Sequence, residues 1–136
     1  MEVRAVLDTN VVVSSHLGRP SSPPAQTIQL WKQRHFDLLY SAGTLTEYAI
    51  KLLQLVEDRD AIMRFLADVR EVGVLVSIDK FHERHYPEDD DDTAFLLCAT
   101  NGEATHLVSY DRHLLDLEGK FNFRICRPKT FLNDLR

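Results

Sequence analysis

Apolar and polar residues follow two different periods along the chain, and these predict strands and helices in alternation. Short apolar runs that end at a turn or a charge are typical of buried strands. Apolar positions three and four residues apart are typical of helices with one buried face. The runs predict strands at residues 3–7, 36–40, 74–78, 106–109 and 123–126. The spacing predicts helices at 25–32, 44–55, 59–72, 91–101 and 128–135, with a helical turn from Asp111.

The order of these elements favours an α/β fold. Strands that alternate with helices form a mostly parallel sheet, which helices cover on both faces. Residues 18–24 and 81–88 are predicted connectors, and the apolar run at 11–13 is assigned to no element. We find no internal repeat and no linker long enough to divide 136 residues. The sequence therefore predicts a single domain over residues 1–136.

Charge and composition narrow the class of protein. The chain has a formal net charge of −5, and the five consecutive acids at 88–92 carry as much negative charge as that whole net value. Such a run either is a solvated surface or faces a cation. No stretch approaches the roughly 20 apolar residues of a membrane span. Charges at Glu2, Arg4 and Asp8 argue against a signal peptide. With only Cys98 and Cys126 as thiols, we expect a reduced, cytoplasmic protein.

Four acids occupy positions where an α/β sheet binds ligands. Asp8 ends the first predicted strand, and Asp111 follows the fourth after a short spacer. Glu47 lies in the helix after the second strand, and Asp92 begins the helix before the fourth. Because ligands bind at the carboxyl ends of parallel strands, we expect these acids at one edge of the sheet. Oxygen ligands without a cysteine or a histidine pair favour Mg²⁺ or Mn²⁺.

Each acid except Asp8 also has an ordinary structural explanation. Glu47 could complete a capping box with Thr44. The acids at 89–92 suit the start of a helix, where they complement its dipole, and Asp111 suits an N-cap. Asp8 differs, because a charge between two apolar runs is costly to bury without a partner. Within the acidic run, Asp92 extends the apolar stripe of its helix, and Asp91 is the alternative.

Four segments of the chain, in order, resemble the motifs of PIN domains. The segments are Val6-Leu7-Asp8-Thr9-Asn10-Val11, Ser41-Ala42-Gly43-Thr44-Leu45-Thr46-Glu47-Tyr48, residues 87–99 with their acids, and His106-Leu107-Val108-Ser109-Tyr110-Asp111. The resemblance covers nearly the whole length. It implies a three-layer α/β/α sandwich with a central parallel sheet.

The resemblance to PIN domains also implies an activity and partners. It implies cleavage of RNA phosphodiester bonds that depends on Mg²⁺ or Mn²⁺. The metal-site and catalytic acids would be Asp8, Glu47, Asp92 (or Asp91) and Asp111, with Thr9, Asn10 and Ser109 supporting them. Similarity to VapC-like proteins suggests the toxin of a prokaryotic toxin–antitoxin pair, with an antitoxin partner. It also suggests a homodimer, with the helix faces at 45–53 or 62–69 as candidate contacts. Tyr110 departs from the small residue often found at its position.

Two other functions stay open at the level of sequence. Aspartyl phosphotransfer would use Asp8 as the nucleophile, but Asn10 stands where phosphatases of that kind have a second aspartate. A catalytically silent module that binds RNA or a partner protein would keep the fold and need no metal. The cations at Arg112, His113, Arg124 and Arg127 could contact phosphates, and a role in surface solubility explains them equally well. The aromatic residues Trp31, Phe36 and Tyr48 are expected in the core.

Overall fold

A computed structural model describes residues 2–79 and 90–136 of the protein, without the side chains of residues 90–92. The predicted connector at 81–88 therefore lies outside the described residues. The strands are β1 (Arg4–Leu7), β2 (Asp37–Tyr40), β3 (Val74–Leu75), β4 (His106–Val108) and β5 (Arg124–Cys126). The helices are α1 (Thr9–Leu17), α2 (Pro23–Lys32), α3 (Ala42–Leu55), α4 (Arg59–Val72), α5 (Asp90–Asn101), α6 (Arg112–Leu115) and α7 (Pro128–Asp134).

The five strands form one sheet in the order β3-β2-β1-β4-β5, and every pairing is parallel. The chain first moves outward from β1 to β3, then crosses back to β4 beside β1. Because crossovers between parallel strands are right-handed, connections in opposite directions place their helices on opposite faces. The predicted three-layer α/β/α architecture is thus confirmed. The strand order changes direction between the neighbouring strands β1 and β4.

The core lies on both faces of this sheet. Residues 5–7 of β1 and residues 38–39 of β2 are fully buried, which explains why these strands are apolar without alternation. The expected core aromatics Trp31, Phe36 and Tyr48 are at most 5% exposed, so that prediction is confirmed. On the described residues, no helix is both long and apolar enough to cross a membrane.

Helix α1 is the element that the sequence pattern did not predict. It begins directly after β1, with Asp8 as its N-cap. Its three consecutive valines, Val11, Val12 and Val13, are all buried, because the helix contacts both α2 and α3 as well as the core. A helix buried on several sides has no single apolar stripe, and β-branched residues have low helix propensity. For both reasons the sequence pattern did not predict α1.

The helix faces proposed for a dimer contact are largely buried against other parts of the same chain. The stripe of α4 at 62–69 consists of core residues, since Ile62, Phe65 and Val69 are at most 3% exposed. On the same two helices the exposed large apolar side chains are Ile50, Leu53 and Leu55 in α3 and Met63 and Val72 in α4. The α4 stripe is therefore unavailable to a second copy, and α3 retains the larger exposed apolar part.

Candidate active site

Asp8 is the buried acid of the site, and both oxygens of its carboxylate accept hydrogen bonds. Its side chain is 4% exposed. The backbone N–H of Thr9 donates to Oδ1 (2.8 Å), and the hydroxyl of Ser109 donates to Oδ2 (2.6 Å). The N–H of Asp8 donates to the carbonyl of Val108 in the neighbouring strand (2.9 Å). The residues at the ends of β1 and β4 therefore bind this carboxylate jointly. These strand ends lie at the switch point, the place where the direction of the strand order reverses and where open α/β sheets bind ligands.

The hydroxyl of Ser109 joins Asp8 to Asp111. While it donates to Asp8, its oxygen accepts the backbone N–H of Asp111 (2.8 Å). Asp111 is the N-cap of α6, as predicted, and its Oδ1 accepts the N–H of His113 (2.8 Å). The capping role uses one oxygen of the carboxylate and fixes the orientation of the side chain. Capping and metal binding are therefore compatible at this residue.

Thr9 and Asn10, in the first turn of α1, line the same edge of the sheet. The side-chain oxygen of Asn10 accepts the backbone N–H of Tyr110 (3.2 Å), which ties α1 to the segment after β4. The hydroxyl of Thr9 is buried and has no hydrogen-bond partner among the described residues. A buried hydroxyl without a partner is uncommon and costly. It is an oxygen next to Asp8 that a bound ion or water would satisfy.

Glu47 is not part of a capping box, which corrects the explanation offered above. The capping box of α3 joins Ser41 and Thr44: the N–H of Ser41 donates to the Thr44 hydroxyl (2.9 Å), and the N–H of Thr44 donates to Oγ of Ser41 (3.2 Å). Glu47 lies beyond this first turn and is half-buried. Its position therefore has no explanation in helix capping.

Tyr48 positions the helix that carries Glu47. Its phenol is fully buried and donates a hydrogen bond to the carbonyl of Leu7, the last residue of β1. Burial raises the pKa of Tyr48 well above its ordinary value, with further increases from Cys98 and from the charge of Asp8. Sequence reasoning placed Tyr48 in the core and missed this contact. The signal was available, since a buried tyrosine hydroxyl needs a partner.

The N-terminal part of α5, at Ala94, approaches the first turn of α3. A Cβ atom at Gly43 would lie 3.5 Å from that of Ala94. The backbone at Asp91 and Asp92 belongs to the start of α5, but their side chains lie outside the described residues. The structure therefore brings the helix that bears these two acids to the same edge as α3, and it leaves the choice between them untested.

The acids of the site suit a hard cation in their chemistry. Apart from the side chains of 80–92, no cluster of three acid, histidine or cysteine side chains is arranged to hold a metal ion. Asp8, Glu47 and Asp111 therefore do not form such a cluster by themselves, and α5 is the element whose acids could complete one. All these donors are oxygens, and the unsatisfied hydroxyl of Thr9 adds one more. Such a set fits Mg²⁺ or Mn²⁺ rather than Zn²⁺.

The candidate phosphate-binding cations divide into two groups. Arg124 begins β5, at the edge opposite the site, and its guanidinium binds Asp134 (2.8 Å) and lies 3.8 Å from Glu118. The expectation for Arg124 is therefore wrong. Arg127 follows the other end of β5 and is exposed, and Arg112 and His113 are exposed directly after Asp111. These three remain at the acid edge.

Comparison with known proteins supports the same fold. Residues 4–113 match the family model of the PIN domain. No curated protein matches the chain. The structure of PAE2754 from Pyrobaculum aerophilum is similar, with a TM-score of 0.61 at 20% identity, over 98% of this chain and 89% of that chain.

A second solved structure, that of VapBC2 from Rickettsia felis bound to a DNA fragment from their promoter, is also similar. Its TM-score is 0.59 at 12% identity, over 90% of this chain and 97% of that chain. At such identities these structures show the fold alone. The family model, however, extends from β1 into α6 and includes the strand ends that hold Asp8 and Ser109. The chain belongs to the PIN-domain family.

Proposed function

We propose that this chain is a metal-dependent endoribonuclease that hydrolyses RNA phosphodiester bonds. The observation that carries the proposal is the buried carboxylate of Asp8, which Ser109 connects to Asp111 at the switch point of the sheet. A buried charge is costly, and here the chain places it at the edge of the sheet where ligands bind. Membership of the PIN-domain family supports nuclease chemistry for such a site.

In this proposal Asp8, Glu47, Asp111 and Asp92 hold Mg²⁺ or Mn²⁺, with Asp91 as the alternative to Asp92. The bound cation supplies a more acidic water and offsets negative charge on the phosphate. Ser109 keeps Oδ2 of Asp8 in a fixed direction, as hydrogen-bonded partners of metal ligands generally do.

The other residues of the site support this arrangement. The side chain of Asn10 holds the segment after β4 in place through Tyr110. Thr9 contributes a buried hydroxyl beside Asp8. Arg112 and Arg127 are exposed at the acid edge and would attract the RNA backbone, which an acidic site by itself repels.

We further propose that residues 1–136 act as one domain in the cytoplasm, as the toxin of a prokaryotic toxin–antitoxin pair. The order of the four motifs supports the likeness to VapC-like proteins, and a VapBC2 structure shares the fold. An antitoxin would then restrain the enzyme. A homodimer would use the exposed apolar residues of α3, Ile50 and Leu53, because the stripe of α4 is buried.

The direct test is cleavage of a mixed RNA pool by the purified chain with Mn²⁺, with Mg²⁺ and with EDTA. Wild type should cleave only with metal, and Asp8→Asn should abolish cleavage while the fold is retained. Asp37→Asn is the matched control, because Asp37 begins β2 at the opposite edge of the sheet. Among the described side chains its ion pair is a half-exposed one with Arg4, at 3.9 Å. Equal cleavage by Asp8→Asn and wild type would refute the proposed site.

Metal binding can be measured without activity. Binding to the folded state alone raises the midpoint of thermal unfolding. Mn²⁺ should therefore stabilise wild type and Asp37→Asn but not Asp8→Asn. If the folded chain binds RNA with the same affinity in EDTA and cleaves none with either metal, the protein is a binding module and the nuclease proposal fails.

A further inference from the structure

Tyr110 is an exposed aromatic residue in the segment that joins two residues of the acid site. It stands between Ser109, which binds Asp8, and Asp111, which caps α6. Tyr110 is 39% exposed, unlike Trp31 and Tyr48, which are buried in the core. Single exposed apolar side chains are common, so exposure by itself indicates nothing. Tyr110 differs from a random surface aromatic because its neighbours in the chain on both sides belong to the acid site.

The backbone beneath this ring is held on both sides. The amide of Tyr110 donates to Asn10 (3.2 Å), and the next amide, that of Asp111, donates to Ser109 (2.8 Å). The backbone from Ser109 to Asp111 is therefore held by the side chains of Asn10 and Ser109 before any ligand binds. Because this backbone is already ordered, it loses little conformational freedom on binding, which favours affinity.

Arg127 provides a cation beside the ring. The amide of Ser109 donates to the carbonyl of Cys126 (2.9 Å), so the residues after β4 and β5 lie side by side. Tyr110 and Arg127 each follow directly after these paired residues, and Arg127 is exposed. Among the described side chains Arg127 has no ion pair, whereas Arg124 has two.

We propose that Tyr110 and Arg127 form a nucleotide subsite for single-stranded RNA. The ring of Tyr110 stacks on an unpaired base next to the cleaved bond, and Arg127 binds a phosphate beside that base. An exposed ring with an adjacent cation is the combination that binds single strands, because every base offers a flat face. A duplex is excluded from this subsite, since its bases are already stacked. The inference rests on the proposed function and names two residues of this chain that would bind its substrate.

Binding of RNA tests the subsite independently of cleavage. The Asp8→Asn background prevents turnover, and the probe is a short single-stranded RNA in which 2-aminopurine replaces one base at a time. Tyr110→Ala should weaken binding about tenfold and remove the quenching of 2-aminopurine at one position. Tyr110→Phe should bind within about twofold of the background, because the ring is retained. Equal affinity and equal quenching in the Ala and Phe variants would overturn the proposal.

The cation is tested through the salt dependence of the same binding. Arg127→Gln should weaken binding to every sequence and reduce the slope of log affinity against log salt by about one. Arg70→Gln is the control. Arg70 is exposed in the last turn of α4, next to the start of β3 and therefore at the edge of the sheet opposite the acids. An Arg127→Gln variant with the salt slope of the background would contradict the phosphate contact.

Cleavage by the chain with native Asp8 separates this inference from the proposed function. Removing the base next to the cleaved bond should raise KM about tenfold for wild type and have no further effect on Tyr110→Ala. Metal-dependent cleavage with the same KM in wild type and Tyr110→Ala would overturn the subsite alone. Binding that depends on Tyr110, without cleavage, would overturn the nuclease and keep the subsite.

Discussion

Removing the hydroxyl of Ser109 tests the central connection of the site. Ser109 is fully buried, and Ser109→Ala removes one oxygen while hardly changing the volume of the side chain. Two hydrogen bonds are lost: the hydroxyl no longer donates to Asp8, and the amide of Asp111 loses its acceptor. The first involves a buried charge and contributes about 1.5–3 kcal/mol, and the second contributes about 1 kcal/mol.

We therefore expect Ser109→Ala to lower the free energy of unfolding by about 3 kcal/mol, measured by urea denaturation without metal. For a chain of this size, the midpoint of thermal unfolding should fall by about 10 °C. The affinity for Mn²⁺ should fall about tenfold or more, because loss of a partner that orients a metal ligand has effects of that size. Ser21→Ala, at an exposed serine, is the control and should change stability by less than about 0.5 kcal/mol.

A double-mutant cycle with Asp8→Asn isolates the interaction between Asp8 and Ser109. If the hydroxyl stabilises the protein through the charge of Asp8, Ser109→Ala should cost clearly less in the Asp8→Asn background, with a coupling energy of about 1 kcal/mol or more. The reasoning is refuted if Ser109→Ala is as stable as Ser21→Ala, or if its cost is the same in both backgrounds.

Three further predictions concern the helices around the site. Glu47→Gln should lower cleavage about a hundredfold or more, beyond the effect of a merely supporting residue, whereas Glu71→Gln, exposed at the end of α4, should not. Tyr48→Phe leaves the carbonyl of Leu7 without its donor and should cost about 1–2 kcal/mol in urea denaturation; an unchanged midpoint would contradict the contact. Burial raises the pKa of Cys98 from 9.0 to about 12. The thiol stabilises the fold fully below pH 9 and this stability is lost as pH rises towards 12, so rapid labelling of native Cys98 at pH 8 would contradict it.

The sequence alone determined the sheet and the positions of the acids along the chain. Strands buried on both faces are continuous apolar runs, so β1 and β4 and the acids after them were predictable from the order of apolar and polar residues. The N-cap at Asp111 was predictable as well, because capping depends on local geometry. Helix α1 was not predicted, since its three valines are buried by α2, α3 and the rest of the core rather than along one amphipathic stripe.

Only the tertiary structure decided which polar groups meet. Ser109 and Asp8 are 101 residues apart in the chain, and the parallel pairing of β1 with β4 brings them within 2.6 Å. The same pairing leaves Arg127 at the acid edge, while Arg124 lies three residues earlier at the opposite edge and is neutralised by Asp134. Sequence spacing specifies the face and the end of an element to which a residue belongs. The partner across the sheet depends on strand order, which is decided by the packing of the whole chain.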